Sequence, residues 1–149
     1  MDRINILVAE DDKDDYLMLR DSIKEILPKF NINHARDGKE FLEIIQQNFE
    51  TDLVFLDLNM PKKNGIDCLI EIRRNQRLNS LRIITYSTSS EIEDIDECYK
   101  NGCTLYLVKP DTYKDLVTQV RKVFFRLGLP KNDLKHKELF VVKKQKESL

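Results

Sequence analysis

Short runs of apolar, β-branched residues alternate along this chain with longer stretches whose apolar residues recur every three or four positions. Ile4, Ile6, Leu7 and Val8 form the first compact run, which stops at the acids Glu10, Asp11 and Asp12. Leu19, Ile23, Ile26 and Leu27 then recur at helical spacing until Pro28 closes the helix. A short, weak strand around Ile32 and Ala35 precedes Asp37-Gly38 and a helix carrying Phe41, Leu42, Ile45 and Phe49. Leu53-Val54-Phe55-Leu56 is continuously apolar, as expected of a parallel strand covered on both faces. It ends at Asp57, and a loop with Pro61 and Gly65 leads into a helix with Ile66, Leu69 and Ile70. Ile83-Ile84-Thr85-Tyr86 predicts a fourth strand, followed by the polar turn Ser87-Thr88-Ser89-Ser90. A less marked helix follows, with Ile92, Ile95 and Tyr99 on its apolar side and Gly102 just past its end. Leu105-Tyr106-Leu107-Val108 predicts the fifth strand, and Leu116, Val120, Val123, Phe124 and Leu127 mark one stripe of the last helix. Five strand–helix repeats of this length imply one parallel sheet with helices on both faces, because parallel strands need crossover connections.

From Gly128 the character changes. Six lysines (131, 135, 137, 143, 144, 146) stand against three acids (133, 138, 147), with apolar residues concentrated in Leu139-Phe140-Val141-Val142. So short a tail cannot fold alone without a metal or disulfides. The expected organisation is one domain over residues 1–127 and a C-terminal extension over 128–149, with no separate output domain. Leu139–Val142 has strand character and can add to a sheet edge, pack on the domain or meet another subunit. Ordering of part of the extension through self-association, giving a homodimer, is the preferred expectation, with disorder from Lys143 onward.

Composition narrows the function classes. The 149 residues carry 25 Lys and Arg against 26 Asp and Glu, a net charge of −1, so no global pull toward nucleic acid or membrane arises. No apolar run approaches membrane-spanning length and the N-terminal residues do not resemble a signal peptide. Cys68, Cys98 and Cys103 are odd in number, lack CxxC spacing and read as reduced thiols of a cytoplasmic protein, with metal binding or disulfides as the lesser alternative.

Ligands of open α/β sheets bind beyond the carboxyl ends of the strands. There the first strand delivers Glu10, Asp11 and Asp12, the third Asp57, the fourth Ser87 and Thr88, and the fifth Lys109. Asp12, Asp14 and Asp15 suit a helix N-terminus, and Asp14 and Asp15 are given no further role. Glu10, Asp11 and Asp57 come from neighbouring strands, which capping does not explain. Two carboxylates about 4 Å apart repel by roughly 4 kcal/mol at an effective dielectric near 20. Such a cluster must share protons, be separated by water or hold a cation, and hard oxygen ligands with open positions favour Mg2+. A carboxylate beside Mg2+ is a plausible nucleophile toward phosphorus, with Lys109 and Ser87 able to donate to phosphoryl oxygens.

The ordered set Glu10-Asp11, Asp57-Leu58-Asn59-Met60-Pro61, Gly65, Ser87-Thr88 and Lys109-Pro110 resembles the receiver domain of two-component response regulators over residues 4–127. The resemblance implies a flavodoxin-like three-layer (βα)5 sandwich with a parallel five-stranded sheet in the order 2-1-3-4-5. It further implies that Asp57 accepts a phosphoryl group from a sensor histidine kinase or a histidine phosphotransfer protein. Asp11 and Asp57 would bind Mg2+ directly, Glu10 through water and Asn59 through its backbone carbonyl. Lys109 would pair with the phosphoryl group, Ser87 would be the switch hydroxyl with Thr88 beside it, and Tyr106 would be the aromatic that turns inward. The peptide before Pro110 is cis in the family and is expected to be so here. The implied readout is a shift in contacts with a downstream protein on the face of the fourth helix, fifth strand and last helix. Pro61-Lys62-Lys63-Asn64-Gly65 and Ser87-Thr88-Ser89-Ser90 are similar to single-domain regulators partnered with bacteriophytochrome-type and other hybrid kinases.

Thr88 stands where a small alanine is usual and Asp111 where an apolar residue is common. Asp111 is given no chemistry. The extension is too short for a helix-turn-helix reader of DNA. A phosphohydrolase using an aspartyl phosphate would carry an acid where Asn59 stands. A pseudo-receiver that only binds partners is the alternative, disfavoured by the complete set of acids, hydroxyl and lysine. The chain is thus expected to be a stand-alone phosphoacceptor and not an enzyme, beyond slow self-dephosphorylation.

Overall fold

Strands apolar on both faces need cover on both, and the helices provide it. The structure, a computed structural model, describes residues 3–47, 50–128 and 141–144. The strands are β1 (Ile4–Ala9), β2 (Phe30–Ala35), β3 (Leu53–Leu56), β4 (Arg82–Ser87) and β5 (Leu105–Val108). The helices are α1 (Lys13–Ile26), α2 (Gly38–Gln47), α3 (Gly65–Arg74), α4 (Ile92–Lys100) and α5 (Tyr113–Gly128). All strand pairings are parallel, in the flavodoxin-like order β2-β1-β3-β4-β5.

Alternation along β3 divides the core. Val54 and Leu56 point into a cluster with Phe41, Ile45, Leu69 and Ile72 of α2 and α3, and Leu53 and Phe55 into one with Leu19, Ile23, Val120 and Val123 of α1 and α5. With Ile95 and Cys98 of α4 joining the first cluster, α2, α3 and α4 cover one face and α1 and α5 the other. The peripheral β2 has an alternating exposure pattern, which explains its weak apolar signal.

The structure departs from the sequence pattern in α4. Ile92 opens that helix and is 70% exposed, while Ile95 and Cys98 make its buried stripe. Cys68, Cys98 and Cys103 are free and buried. Phe49, Leu139 and Phe140 lie outside the described residues.

The sheet also has a sixth strand. β6 (Val141–Val142) pairs parallel with β5, Tyr106 opposite Val141 and Leu107 opposite Val142. Five strands would leave the backbone of apolar β5 as an open edge; the β-branched pair closes it within the same chain. Val142 is buried, Arg126 donates from Nη1 to the Val141 carbonyl at 3.2 Å, and Lys144 pairs with Asp115 at 3.2 Å. Of the three fates open to the tail's apolar run, Val141 and Val142 take the sheet edge.

Candidate functional site

Strand register brings the acids together. Ala9 pairs with Leu56, so the next residue on each strand, Glu10 and Asp57, leaves the sheet at the same level. The Asp57 N–H donates to the Ala9 carbonyl at 3.0 Å, continuing the ladder past the formal strand end. On the other side, the Lys109 N–H donates to the Ser87 carbonyl at 2.7 Å. Carboxylate oxygens of Glu10, Asp11 and Asp57 all lie within 4.8 Å of one another. The loop after Asp57 folds back tightly, with the Gly65 N–H on the Leu58 carbonyl at 2.9 Å. A β-carbon at Gly65 would stand 2.4 Å from the Asp57 carbonyl oxygen, so only glycine allows this approach.

Lys109 is the counter-charge. Its Nζ lies 2.5 Å from Glu10 Oε1, 2.9 Å from Asp15 Oδ2 and 3.6 Å from Asp57 Oδ2. The ammonium also sits 4.8 Å from the centre of the Tyr86 ring. Burial disfavours its charge, but the bonds to Glu10 and Asp15 and the charge of Asp57 outweigh this and hold Lys109 above the usual lysine range. Glu10 is fully buried, and burial together with its close approach to Asp57 pushes its carboxyl up to about 9 despite Lys109. Glu10 Oε2 is buried with no hydrogen-bond partner among the described residues. An orphaned carboxylate oxygen beside two further acids, one of them exposed, fits a hard divalent cation that retains water.

The other expected residues fall around this centre. The Asn59 N–H donates to Asp57 Oδ1 at 3.2 Å. Ser87 is buried, its Oγ accepting from the Ser89 N–H at 3.2 Å, whereas Thr88 is exposed. Tyr106 is fully buried and donates its hydroxyl to the Ser89 carbonyl at 2.8 Å.

Two expectations are corrected. The peptide before Pro110 is trans, since the structure has no cis peptide bond among the described residues. The trans form is the intrinsically preferred one, and Lys109 still reaches the acids because its backbone is anchored to β4 through Ser87. Asp15, read as a helix-terminal charge, instead bonds Lys109 across the sheet. Its N–H does belong to the cap, donating to Asp12 Oδ1 at 2.9 Å, so the backbone serves the helix and the side chain the site. Tyr86 and His34 also border the site. His34 Nε2 lies 2.7 Å from the Glu10 carbonyl, and its ring stacks on Tyr16 at 3.8 Å. These contacts join residues distant in sequence and have no local signature.

A cleft of about 590 Å3 at the other end of the strands, lined by Ile4, Leu53, Arg82 and Phe124 among others, is remote from this chemistry.

Residues 6–121 match the family model of the response regulator receiver domain. The chain belongs to the response regulator receiver family. It is 32% identical over 128 residues to the response regulator Rcp1 of Synechocystis sp., covering 79% of this chain and 84% of that protein. The Mn(2+)-bound form of Rcp1 superposes with a TM-score of 0.73 at 29% identity, over 80% of this chain and 91% of that one. The phosphorylated cyanobacterial phytochrome response regulator RcpA gives a TM-score of 0.76 at 27% identity, over 82% and 91%. Receiver domains are phosphoacceptors of two-component signalling that take the phosphoryl group from histidine kinases or phosphotransfer proteins and bind a divalent cation in an acidic pocket. No helix among the described residues is long and apolar enough to cross a membrane.

Proposed function

We propose that Asp57 is the phosphoacceptor of this receiver and that Mg2+ is its cation. The observation that carries this reading is the meeting of Glu10, Asp11 and Asp57 within 4.8 Å, with the Lys109 ammonium 3.6 Å from Asp57. An Asp57 carboxylate oxygen attacks the phosphorus of a phosphohistidine; an O–P bond forms as the P–N bond breaks, and the released imidazole nitrogen takes a proton from solvent. Asp11 and Asp57 would hold the cation directly, Glu10 through water and Asn59 through its carbonyl. When bound, Mg2+ offsets the clustered negative charge and accepts a phosphoryl oxygen. Lys109 and the Ser87 hydroxyl donate to the remaining oxygens, and exposed Thr88 flanks the entrance.

The loop after β4 links this chemistry to a surface. Ser87 accepts from the Ser89 N–H, Ser89 donates from Oγ to Asp94 at the start of α4, and the Ser89 carbonyl holds Tyr106 of β5. Drawing the Ser87 hydroxyl toward a phosphoryl group therefore perturbs α4 and β5 together, which supports readout by a protein partner on the α4–β5–α5 face. Residues 1–127 carry this function, and Val141 and Val142 of the extension cover the β5 edge of that face through β6. The cytoplasm, where sensor kinases present their phosphohistidines, is the compartment this reading implies.

Beryllofluoride with Mg2+ should bind the wild type and not Asp57→Asn. Equal binding by both proteins, measured by calorimetry, removes Asp57 as the acceptor.

A further inference from the structure

We infer that Asp15 is a positioning residue for phosphoryl capture: it holds the Lys109 ammonium with one N–H left toward Asp57. The inference rests on the assignment of Asp57 as acceptor. An ammonium has three N–H donors. Two have close carboxylate acceptors, Glu10 at 2.5 Å and Asp15 at 2.9 Å, and Asp57 stands next at 3.6 Å, beyond normal hydrogen-bond length. The remaining N–H is thereby left for the side on which a phosphoryl group joined to Asp57 must lie.

The acids divide into two groups. Glu10, Asp11 and Asp57 can share one cation, and Asp15 is outside that set. Glu10 thus serves both cation and lysine, whereas the Asp15 side chain bonds Lys109 alone among the described residues. Its placement is built into the fold. The Asp15 N–H is tied to the cap residue Asp12, which fixes where α1 begins and aims the side chain over the sheet toward β5, 94 positions away in the chain. The Lys109 ammonium sits over the Tyr86 ring, and the lysine side chain is 9% exposed against 37% for that of Asp15. Asp15 is therefore the solvent-side wall of the ammonium's site. Without it, one donor loses its acceptor and the head is free to turn toward water, away from Asp57.

The test compares beryllofluoride binding with Mg2+ and Mg2+ binding alone in the full chain. Asp15→Ala should weaken beryllofluoride about five- to tenfold, the loss expected for one partly exposed charge-assisted hydrogen bond. Asp15→Asn keeps an oxygen acceptor and should recover most of that loss. Asp15→Leu lacks an acceptor, should match the alanine variant and replaces it if alanine disturbs folding. Mg2+ alone should bind all of them as it binds the wild type. Beryllofluoride binding by Asp15→Ala as tight as or tighter than wild type overturns the inference. So does an equal loss in Asp15→Ala and Asp15→Asn, or a parallel loss of Mg2+ affinity. A wild type that binds no beryllofluoride, or an Asp57→Asn variant that binds it equally, instead overturns the acceptor assignment itself.

Discussion

Replacing Glu10 by glutamine removes a titratable carboxyl from the acidic cluster while keeping its shape and an oxygen acceptor for Lys109. The expected result is a more stable protein. The Glu10 carboxyl is raised from an ordinary value of 4.5 to about 9 by burial first and by Asp57 second. Between those values the unfolded chain binds fewer protons than the fold, so this group's contribution to stability falls as pH rises through the interval. At neutral pH the difference from the ordinary value corresponds to about 3 kcal/mol. The sharing of protons with Asp57 reduces this to about 1–2 kcal/mol. For a chain of this size that is a rise of roughly 3–6 °C in Tm. The assay is thermal unfolding of both proteins across mildly acidic to mildly alkaline pH, with and without Mg2+. Glu10→Gln should exceed the wild type by a margin that grows with pH and vanishes where Glu10 is protonated in both states. Mg2+ should raise the wild type more and narrow the gap, because the cation stabilises the ionised cluster. A variant that is less stable at neutral pH, or whose margin does not change with pH, would refute the reasoning.

Two further outcomes follow from the contacts of β5. Tyr106→Phe removes the hydroxyl that donates to the Ser89 carbonyl; it should cost about 0.5–1.5 kcal/mol in denaturant unfolding and weaken partner binding while leaving beryllofluoride affinity within about twofold. An unchanged partner affinity would separate Tyr106 from the readout. Val142→Asp places a charge in a buried site of a two-residue strand, so β6 should detach at a cost of no more than about 2 kcal/mol while the rest of the domain stays folded. Hydrogen exchange should then show lost protection along β5; unaltered protection would mean that β6 does not guard that edge.

The site was legible to the extent that it follows strand order. Glu10, Asp57, Ser87 and Lys109 each end an apolar run, and a parallel sheet must bring such ends to one side. Asp15 was obscured by a valid local explanation: an acid in the first turn of a helix is favourable there whatever else it touches. Ile92 was misplaced because α4 is short and its stripe is carried by Cys98, which ranks among buried residues but adds little to an apolar pattern. The trans peptide before Pro110 shows the limit of transfer by resemblance, since two isomers of close intrinsic energy are decided by their surroundings.

Hydrophobic periodicity alone determined the alternation of strands and helices, the parallel sheet and the side on which its chemistry lies, because burial of apolar faces leaves few other arrangements. Only the tertiary structure decided how one ammonium is divided among Glu10, Asp15 and Asp57, and that Val141 and Val142 close the β5 edge. Both depend on distances across the sheet between residues far apart in the chain. Local pattern carries burial, whereas the direction of a charged side chain and the occupant of a sheet edge are settled by what else the fold brings within reach.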